Sequence, residues 1–172
     1  FGLNKKGEQL LEGARKKGIP LTTINRGVHL DLAGTGEINL RVIFPCGTET
    51  LPLRRAANDI SLSFFLESKR RRILFLGDLE EDGLARLFGS GEELRSDVLV
   101  LPHHGRTNRL NDLLLTKVQP QVVVISGDGR GGALEFSDRL EQSGTETYST
   151  WRGGNIRQEW TDSGIATGYQ ER

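Results

Sequence analysis

The sequence predicts an α/β fold in which helices lie outside one mixed sheet, and the prediction depends on how its apolar residues are spaced. Up to residue 77, apolar and polar residues alternate, which is typical of antiparallel strands with one buried face. From Asp78 onward, short runs of consecutive apolar residues alternate with helical stretches, which is typical of strands covered by helices. Residues 1–172 are therefore expected to form a single domain whose character changes near Asp78.

Residues 1–77 are expected to form an N-terminal helix followed by an antiparallel meander. Asn4 can cap a helix that ends near Lys17, because Gly18 and Pro20 follow. The alternating pattern predicts strands over 21–24, 28–32, 38–44, 60–66 and 72–76. Residues 45–57 lack periodicity and are predicted to form a loop.

Residues 78–160 are expected to alternate helices with buried strands. The pattern predicts helices over 80–88, 109–117 and 133–142 and strands over 98–101, 122–125 and 145–149. A last strand is predicted over 155–160, flanked by Trp151 and Trp160 as packing residues that close the sheet. Residues 161–172 are expected to form a frayed tail.

The composition narrows the class of protein without indicating a partner. Lysine and arginine total 23 residues and aspartate and glutamate total 23, so no charged partner is favoured by bulk electrostatics. A single cysteine, Cys46, excludes an internal disulfide and leaves the compartment open. The sequence starts at Phe1 and contains no methionine, so it is expected to be part of a longer protein.

Asp78 is the first candidate for chemistry, because it follows an apolar strand and a glycine in the segment LFLGD. Gly77 allows a turn or a close backbone approach, so the carboxylate can project into a cleft as a ligand for Zn²⁺ or Mn²⁺. The alternative is that Asp78 only caps the helix that is predicted to follow.

The segment LPHHG supplies the second candidate pair, His103 and His104. Neighbouring side chains on an extended backbone point to opposite sides, so one histidine is expected to bind a metal and the other to act on the substrate. The alternative is a pair of loop histidines that bond to backbone carbonyls. Reading both segments together favours a site, because both lie at the ends of predicted strands, where α/β sheets gather their ligands.

The order of these motifs resembles the metallo-β-lactamase-like domain of ComEC-type DNA-internalisation proteins. The resemblance covers nearly the whole chain, and the segments that carry it are Asn58-Asp59-x-Ser61-Leu62, LFLGDLE, DVLVLPHHG and QPQVVVIS. It implies the C-terminal portion of an αβ/βα sandwich of the metallo-β-lactamase type. It also implies that the domain is a hydrolase whose substrate is DNA. The domain would be attached to the cytoplasmic membrane through its parent protein and would lie on the outer side of that membrane.

The resemblance further implies roles for individual residues. Asp78 corresponds to the aspartate that bridges two divalent ions, Zn²⁺ or Mn²⁺, in the intact domain. One histidine corresponds to a metal ligand; we assign it to His104, with His103 facing the scissile phosphate as a catalytic residue. Asn58, Asp59 and Ser61 lie beside the site in the family and are expected to contact the substrate or the ligands, or else to form only a turn before a strand.

Two departures from the family pattern limit these expectations. The HxHxDH motif, which supplies most of the metal ligands, is absent from this sequence and is expected upstream in the same polypeptide. With only Asp78 and one histidine, weak metal binding or none is expected from this chain. Related sequences often place a further histidine after the strand that ends at Ser126, whereas this chain has a glycine-rich loop containing Asp128 and Arg130.

Three functions therefore remain open from the sequence. The first is a metal-dependent phosphodiesterase or nuclease linked to DNA uptake. The second is a non-catalytic domain that binds nucleic acid or supports a membrane channel. The third is a hydrolase of the same fold that acts on a small ester, lactone or phosphonate, because one fold hosts many reactions. For the location, the alternative to a membrane-attached parent is a free-standing cytoplasmic enzyme. The oligomeric state is not indicated.

Overall fold

The computed structural model describes residues 5–45, 58–68, 71–161 and 163–170. In these ranges the α-helices are α1 (Lys5–Lys16), α2 (Glu81–Gly89), α3 (Asn111–Val118), α4 (Ala133–Gln142) and α5 (Thr150–Gly153). The strands are β1 (His29–Asp31), β2 (Asn39–Phe44), β3 (Ser63–Ser68), β4 (Arg71–Phe75), β5 (Val98–Val100), β6 (Val122–Ile125), β7 (Glu146–Ser149), β8 (Ile156–Trp160) and β9 (Ile165–Tyr169). Short 3₁₀ helices occupy Asn58–Ile60 and Pro102–Gly105.

Strands β1 to β7 form one seven-stranded sheet in chain order, as the α/β prediction requires. The pairs from β1 to β4 are antiparallel, and the pairs from β4 to β7 are parallel. The predicted change in character near Asp78 therefore coincides with the first parallel pair, β4 with β5. Because β4, β5 and β6 run in the same direction, their carboxyl ends meet at one edge of the sheet.

Alternate side chains of the parallel strands divide the core into two apolar clusters. Leu74, Leu99 and Val123 face one way and share a fully buried cluster with residues of α2, α3 and α4. Their neighbours Ile73, Val98 and Val122 face the other way, and Ile156, Trp160 and Ile165 pack against that second cluster. Strands buried on both faces explain why this part of the sequence reads as consecutive apolar residues.

The predicted frayed tail is wrong, because residues Ile165–Tyr169 form β9 and pair antiparallel with β8. The two strands form a separate two-stranded sheet over the second apolar cluster. Tyr148 connects the two sheets by donating its hydroxyl to the carbonyl of Thr167 at 2.8 Å. Trp160 packs against this second cluster, whereas Trp151 packs against the first cluster, so the two tryptophans lie on opposite faces of the parallel strands.

The N-terminal part is less regular than its alternation predicts. Residues 21–24 form no strand, because backbone pairing with β2 starts only where Gly27 donates to the carbonyl of Val42 at 2.9 Å. Helix α1 is formed as predicted but has no buried residue, and Leu10 is 74% exposed. It therefore does not cover the sheet over the described residues. Of the predicted loop over 45–57, only Pro45 lies within the described residues.

No helix in the described part of the chain combines the length and the apolar character needed to cross a bilayer.

Gly83 in α2 supplies a test of how closely this helix packs against the segment before β3. A Cβ atom there would lie 2.6 Å from Leu79 Cδ2 and 3.0 Å from the backbone of Asp59. Gly83→Ala is expected to lower the free energy of unfolding by about 1–3 kcal/mol relative to Gly89→Ala, measured by urea denaturation. Gly89 is the matched control, because it lies in the same helix with nothing within 4 Å of its Cβ position. Equal stability of the two variants would contradict the close approach.

Candidate active site

The residues singled out by the motifs gather at the carboxyl ends of β4, β5 and β6. Asp78 follows β4, His103 and His104 follow β5, and Ser126 follows β6. A backbone bond joins the first two segments, because the amide of His103 donates to the carbonyl of Gly77 at 3.0 Å. The parallel topology therefore brings together residues that are about 25 positions apart in the chain.

The turn before Asp78 depends on Gly77. Its φ is +58°, and a Cβ atom would lie 2.9 Å from Ser61 Cβ and 3.2 Å from the carbonyl oxygen of Leu62. Ser61 therefore packs behind the turn, and its predicted contact with substrate stays a prediction. Leu76 and Leu79, on either side of the turn, are fully buried, which anchors the segment and leaves Asp78 at the surface.

The two histidines lie on a left-handed turn, so the predicted extended backbone is wrong at this point. The φ angles are +47° at His103, +59° at His104 and +76° at Gly105. Left-handed conformations of non-glycine residues cost roughly 1–2 kcal/mol each and are concentrated at functional sites. The two side chains still separate, since their ring centroids are 6.3 Å apart and each ring approaches a different carboxylate.

His104 is oriented so that one ring nitrogen is left available beside Asp78. Its Nδ1 lies 2.7 Å from the carbonyl oxygen of Ser126, and because a carbonyl only accepts, Nδ1 carries the proton. In the neutral ring Nε2 then presents a lone pair, and it lies 3.7 Å from Asp78 Oδ1. Gly127 permits this arrangement, since a Cβ atom there would lie 3.0 Å from His104 Cβ. The predicted proximity of Asp78 to one imidazole is thus observed.

His103 approaches a carboxylate that the sequence reading did not identify, that of Glu80. His103 Nδ1 lies 3.3 Å from Glu80 Oε1, and the same oxygen accepts a hydrogen bond from Asn58 Nδ2 at 2.8 Å. The signal for Glu80 was present in the motif: in Asp78-Leu79-Glu80 the middle residue is buried, so the two carboxylates flank it on the exposed side. Asn58 is thereby placed beside the site.

Asp59 has a structural task in this arrangement. It is buried, and its Oδ1 accepts the backbone N–H groups of Glu80 at 3.1 Å and Gly83 at 2.8 Å. These are donors of the first turn of α2, so Asp59 caps the helix from more than 20 residues away. Asp78 does not supply the cap, because α2 begins after Glu80 with no side-chain cap of its own.

Two cavities flank His103 and Arg106. The first has a volume of about 630 Å³ and is predominantly acidic, lined by Asp59, Glu80, Glu81, Asp82, His103, Arg106, Thr107 and Asn108. The second has a volume of about 530 Å³ and carries both signs of charge, lined by Asp78, His103, His104, Arg106, Gly127, Asp128 and Arg130. The Asp78–His104 pair therefore opens onto a cleft lined by side chains of both charges.

The site supplies part of a metal-binding set. Two ligand atoms that share one zinc ion at ~2.0–2.2 Å are separated by roughly 3–4 Å, which the Asp78–His104 distance of 3.7 Å satisfies. Across the residues that the structure describes, no group of three or more His, Cys, Asp or Glu side chains is placed to hold a metal ion. The donors thus fit a divalent ion by type and spacing but make up only two of its ligands.

No family model matches the chain. Over 126 residues it is 26% identical to ComE operon protein 3 of Bacillus subtilis, and this alignment covers 73% of the chain but only 15% of that protein. A solved structure of a Parabacteroides distasonis protein, to which metal-dependent hydrolase activity is ascribed, aligns with a TM-score of 0.48 at 15% identity. That alignment covers 80% of this chain and 61% of the other.

The relative and the motifs support the same resemblance. The four motif segments resemble those of a ComEC-type domain, and the similarity to ComE operon protein 3 extends over nearly three quarters of the chain. The mixed α/β architecture, with the motif residues at the carboxyl edge of its sheet, is compatible with that relationship. The resemblance to the ComEC-like metallo-β-lactamase domain is confirmed.

Proposed function

We propose that this chain carries part of the catalytic site of a metal-dependent hydrolase that cleaves phosphodiesters, with DNA as the substrate. The observation that carries the proposal is the arrangement of His104, whose Nδ1 is bonded to the Ser126 carbonyl and whose Nε2 faces Asp78 at 3.7 Å. Histidine ligands of metals characteristically donate their second ring nitrogen to a backbone carbonyl or carboxylate in this way.

In this proposal Asp78 and His104 hold a divalent ion, Zn²⁺ or Mn²⁺, at the edge of the sheet. When bound, such an ion lowers the pKa of water and stabilises negative charge on a phosphoryl oxygen. The carboxylate of Asp78 contributes the compensating negative charge, and the Ser126 carbonyl fixes the tautomer of His104. This carbonyl bond supports the proposed assignment of the ligand to His104 rather than His103.

His103 is proposed to be the proton donor of the reaction. Its Nδ1 lies 3.3 Å from Glu80 Oε1, and its other ring nitrogen, Nε2, is the one proposed to protonate a leaving oxygen of a substrate in the second cavity, which His103 lines. The Glu80 carboxylate orients the His103 ring. Asn58 donates a hydrogen bond to that carboxylate, and Asp59 accepts one from the backbone N–H of Glu80. Asn58 and Asp59 therefore act through Glu80, without needing to touch the substrate.

The role in DNA uptake is proposed from the resemblance and from the name of the relative, ComE operon protein 3. We propose that the parent protein is a membrane-embedded DNA-uptake channel and that this domain lies on the outer side of the cytoplasmic membrane. The parent's full sequence tests this: several apolar stretches of ~20 residues would support it, and a lone cytoplasmic hydrolase with none would refute it.

The catalytic proposal is tested by comparing the chain with a longer version that includes the residues preceding it in the parent. We expect an HxHxDH motif in those residues, so the longer protein is expected to hydrolyse DNA in Mn²⁺ or Zn²⁺. The 172-residue chain is expected to have no significant activity, because two ligands preorganise a metal poorly. Robust turnover by the shorter chain that survives both Asp78→Ala and His104→Ala would contradict the assignment.

A further inference from the structure

Arg106 occupies a position between the two cavities that the fold fixes closely. Its backbone N–H donates to the carbonyl of His103 at 3.1 Å, and its own carbonyl accepts from Asn111 Nδ2 at 3.2 Å. Asn111 is only 3% exposed, so this second bond is made from inside the domain. The residue before it, Gly105, is buried against Ile125. The base of the Arg106 side chain is therefore held at a constant place relative to the histidines.

The side chain of Arg106 lies across the glycine-rich loop that follows β6. A Cβ atom at Gly131 would lie 2.9 Å from both Cγ and Nε of Arg106, and Gly131 has a φ of +65°. The absence of a side chain at residue 131 thus leaves the space through which the arginine passes. From there Arg106 lines both cavities, as His103 does.

The guanidinium of Arg106 makes no hydrogen bond or ion pair with any side chain in the part of the chain that the structure describes. The neighbouring arginines behave differently: Arg109 lies 3.5 Å from Glu81, and Arg130 lies 3.2 Å from Asp128. Six acidic residues line the two cavities near Arg106, yet none is paired with it over the described residues. An exposed arginine whose backbone is held in place and whose donors are uncommitted beside a cleft is suited to bind an anion from solution.

Charge indicates which cavity receives that anion. The first cavity is lined by Asp59, Glu80, Glu81 and Asp82, which repel a phosphate. The second contains Asp78 and Asp128 but also Arg106, Arg130 and both histidines, so it is the more favourable of the two. An anionic group bound there lies between the Asp78–His104 pair and Arg106.

We propose that Arg106 is the specificity-determining residue of this site: it binds a phosphate of the substrate in the second cavity and so selects phosphodiesters over neutral esters and lactones. This inference rests on the proposed function for its substrate class. The planar guanidinium presents paired N–H donors that match two phosphate oxygens, which a neutral ester cannot satisfy. The backbone bonds hold the base of the side chain in place, and Gly131 leaves the space in which its Cγ and Nε lie.

The test measures binding without catalysis. The full chain is titrated, in the presence of a chelator, into a fluorescein-labelled single-stranded oligothymidylate and followed by fluorescence anisotropy. Arg106→Gln is expected to weaken binding about 10-fold and to lower the salt dependence by about one phosphate contact, because one charge-assisted contact is lost. Arg106→Lys, which keeps the charge but loses the paired geometry, is expected to weaken binding about 3-fold.

Two controls separate the specific contact from general charge. Arg109→Gln removes one charge three residues away, from a side chain that is 90% exposed and paired with Glu81, and is expected to change the Kd less than 2-fold. An uncharged methylphosphonate oligothymidylate of equal length is expected to bind wild type and Arg106→Gln alike. Equal loss in Arg109→Gln, unchanged binding in Arg106→Gln, or no binding by the wild type would each overturn the inference.

The same variants keep this inference separate from the proposed function. If Arg106→Gln loses oligonucleotide binding but the longer protein shows no metal-dependent hydrolysis, the phosphate contact stands and the catalytic proposal fails. If hydrolysis is observed while Arg106→Gln binds and turns over DNA as the wild type does, the catalytic proposal stands and the role of Arg106 is refuted.

Discussion

Replacing Asp78 with alanine is expected to reduce the metal-dependent hydrolysis of DNA by roughly three orders of magnitude in kcat/KM. The variant loses the carboxylate that lies 3.7 Å from His104 Nε2, and with it a ligand of the proposed ion. An ion held at this position is worth several kcal/mol of transition-state stabilisation, and each ~1.4 kcal/mol is a factor of ten in rate. Steady-state kinetics of the longer protein at saturating Mn²⁺ measure the effect.

The matched control for Asp78→Ala is Asp82→Ala. Asp82 lines the first cavity, four residues further along the chain, and is exposed in the first turn of α2. Its loss is expected to change kcat/KM less than 5-fold, because an exposed carboxylate outside the ligand set contributes little. Similar losses in both variants would indicate a general effect of acidic charge and contradict a specific role for Asp78.

The second large effect is expected at His103. His103→Ala is expected to lower kcat about 10²–10⁴-fold, the range typical of a lost general acid. Glu80→Gln is expected to lower kcat about 10-fold or more, because the amide no longer supplies the charge that lies 3.3 Å from the ring. The hydrogen bond from Asn58 can still be made to the amide oxygen, so the position of the side chain is retained.

A double-mutant cycle separates the positioning role of Glu80 from an independent one. If Glu80 acts through His103, the double variant has the kcat of His103→Ala alone, since residues that act as a unit are not additive. Multiplicative losses in the double variant would instead assign Glu80 a separate task. Urea denaturation of the three variants shows whether the losses reflect unfolding.

The parallel half of the sheet could be predicted from sequence because its strands are buried on both faces. Val122–Ile125 is a run of four apolar residues, and the structure places β6 over those four positions. The strand β9 could not be read in the same way, since Ile165 meets the second cluster only once the strand pairs with β8, and Tyr169 stays 41% exposed. Short strands of this kind depend on tertiary contacts.

The alternation over 21–24 predicted a strand that is absent from the structure, and here too tertiary contacts decide the outcome. Alternation shows that a segment could pair with a sheet, but β1 already occupies that edge beside β2, and Leu21 is exposed. An amphipathic pattern likewise predicts the helix α1, but it does not determine whether the apolar side of that helix packs against another element.

At the candidate site, the sequence indicates residues that stand in motifs and misses those defined by contacts. Asp78 and the histidines are found because each follows a strand, and parallel strands bring those ends together. Glu80 is missed because its importance lies in two partners, Asn58 and His103, that are more than 20 residues away. Arg106 is missed because an unpaired guanidinium is recognised only when its neighbours are known.

The most direct test of the central claim, that Asp78 and His104 share a divalent ion, is a crystal structure of the longer protein with Zn²⁺. Anomalous diffraction at the zinc edge is expected to place an ion ~2.0–2.2 Å from a carboxylate oxygen of Asp78 and from Nε2 of His104. The bond from His104 Nδ1 to the Ser126 carbonyl, 2.7 Å here, is expected to persist. An ion bound elsewhere, or no zinc between these two side chains in crystals that bind it, would contradict the account.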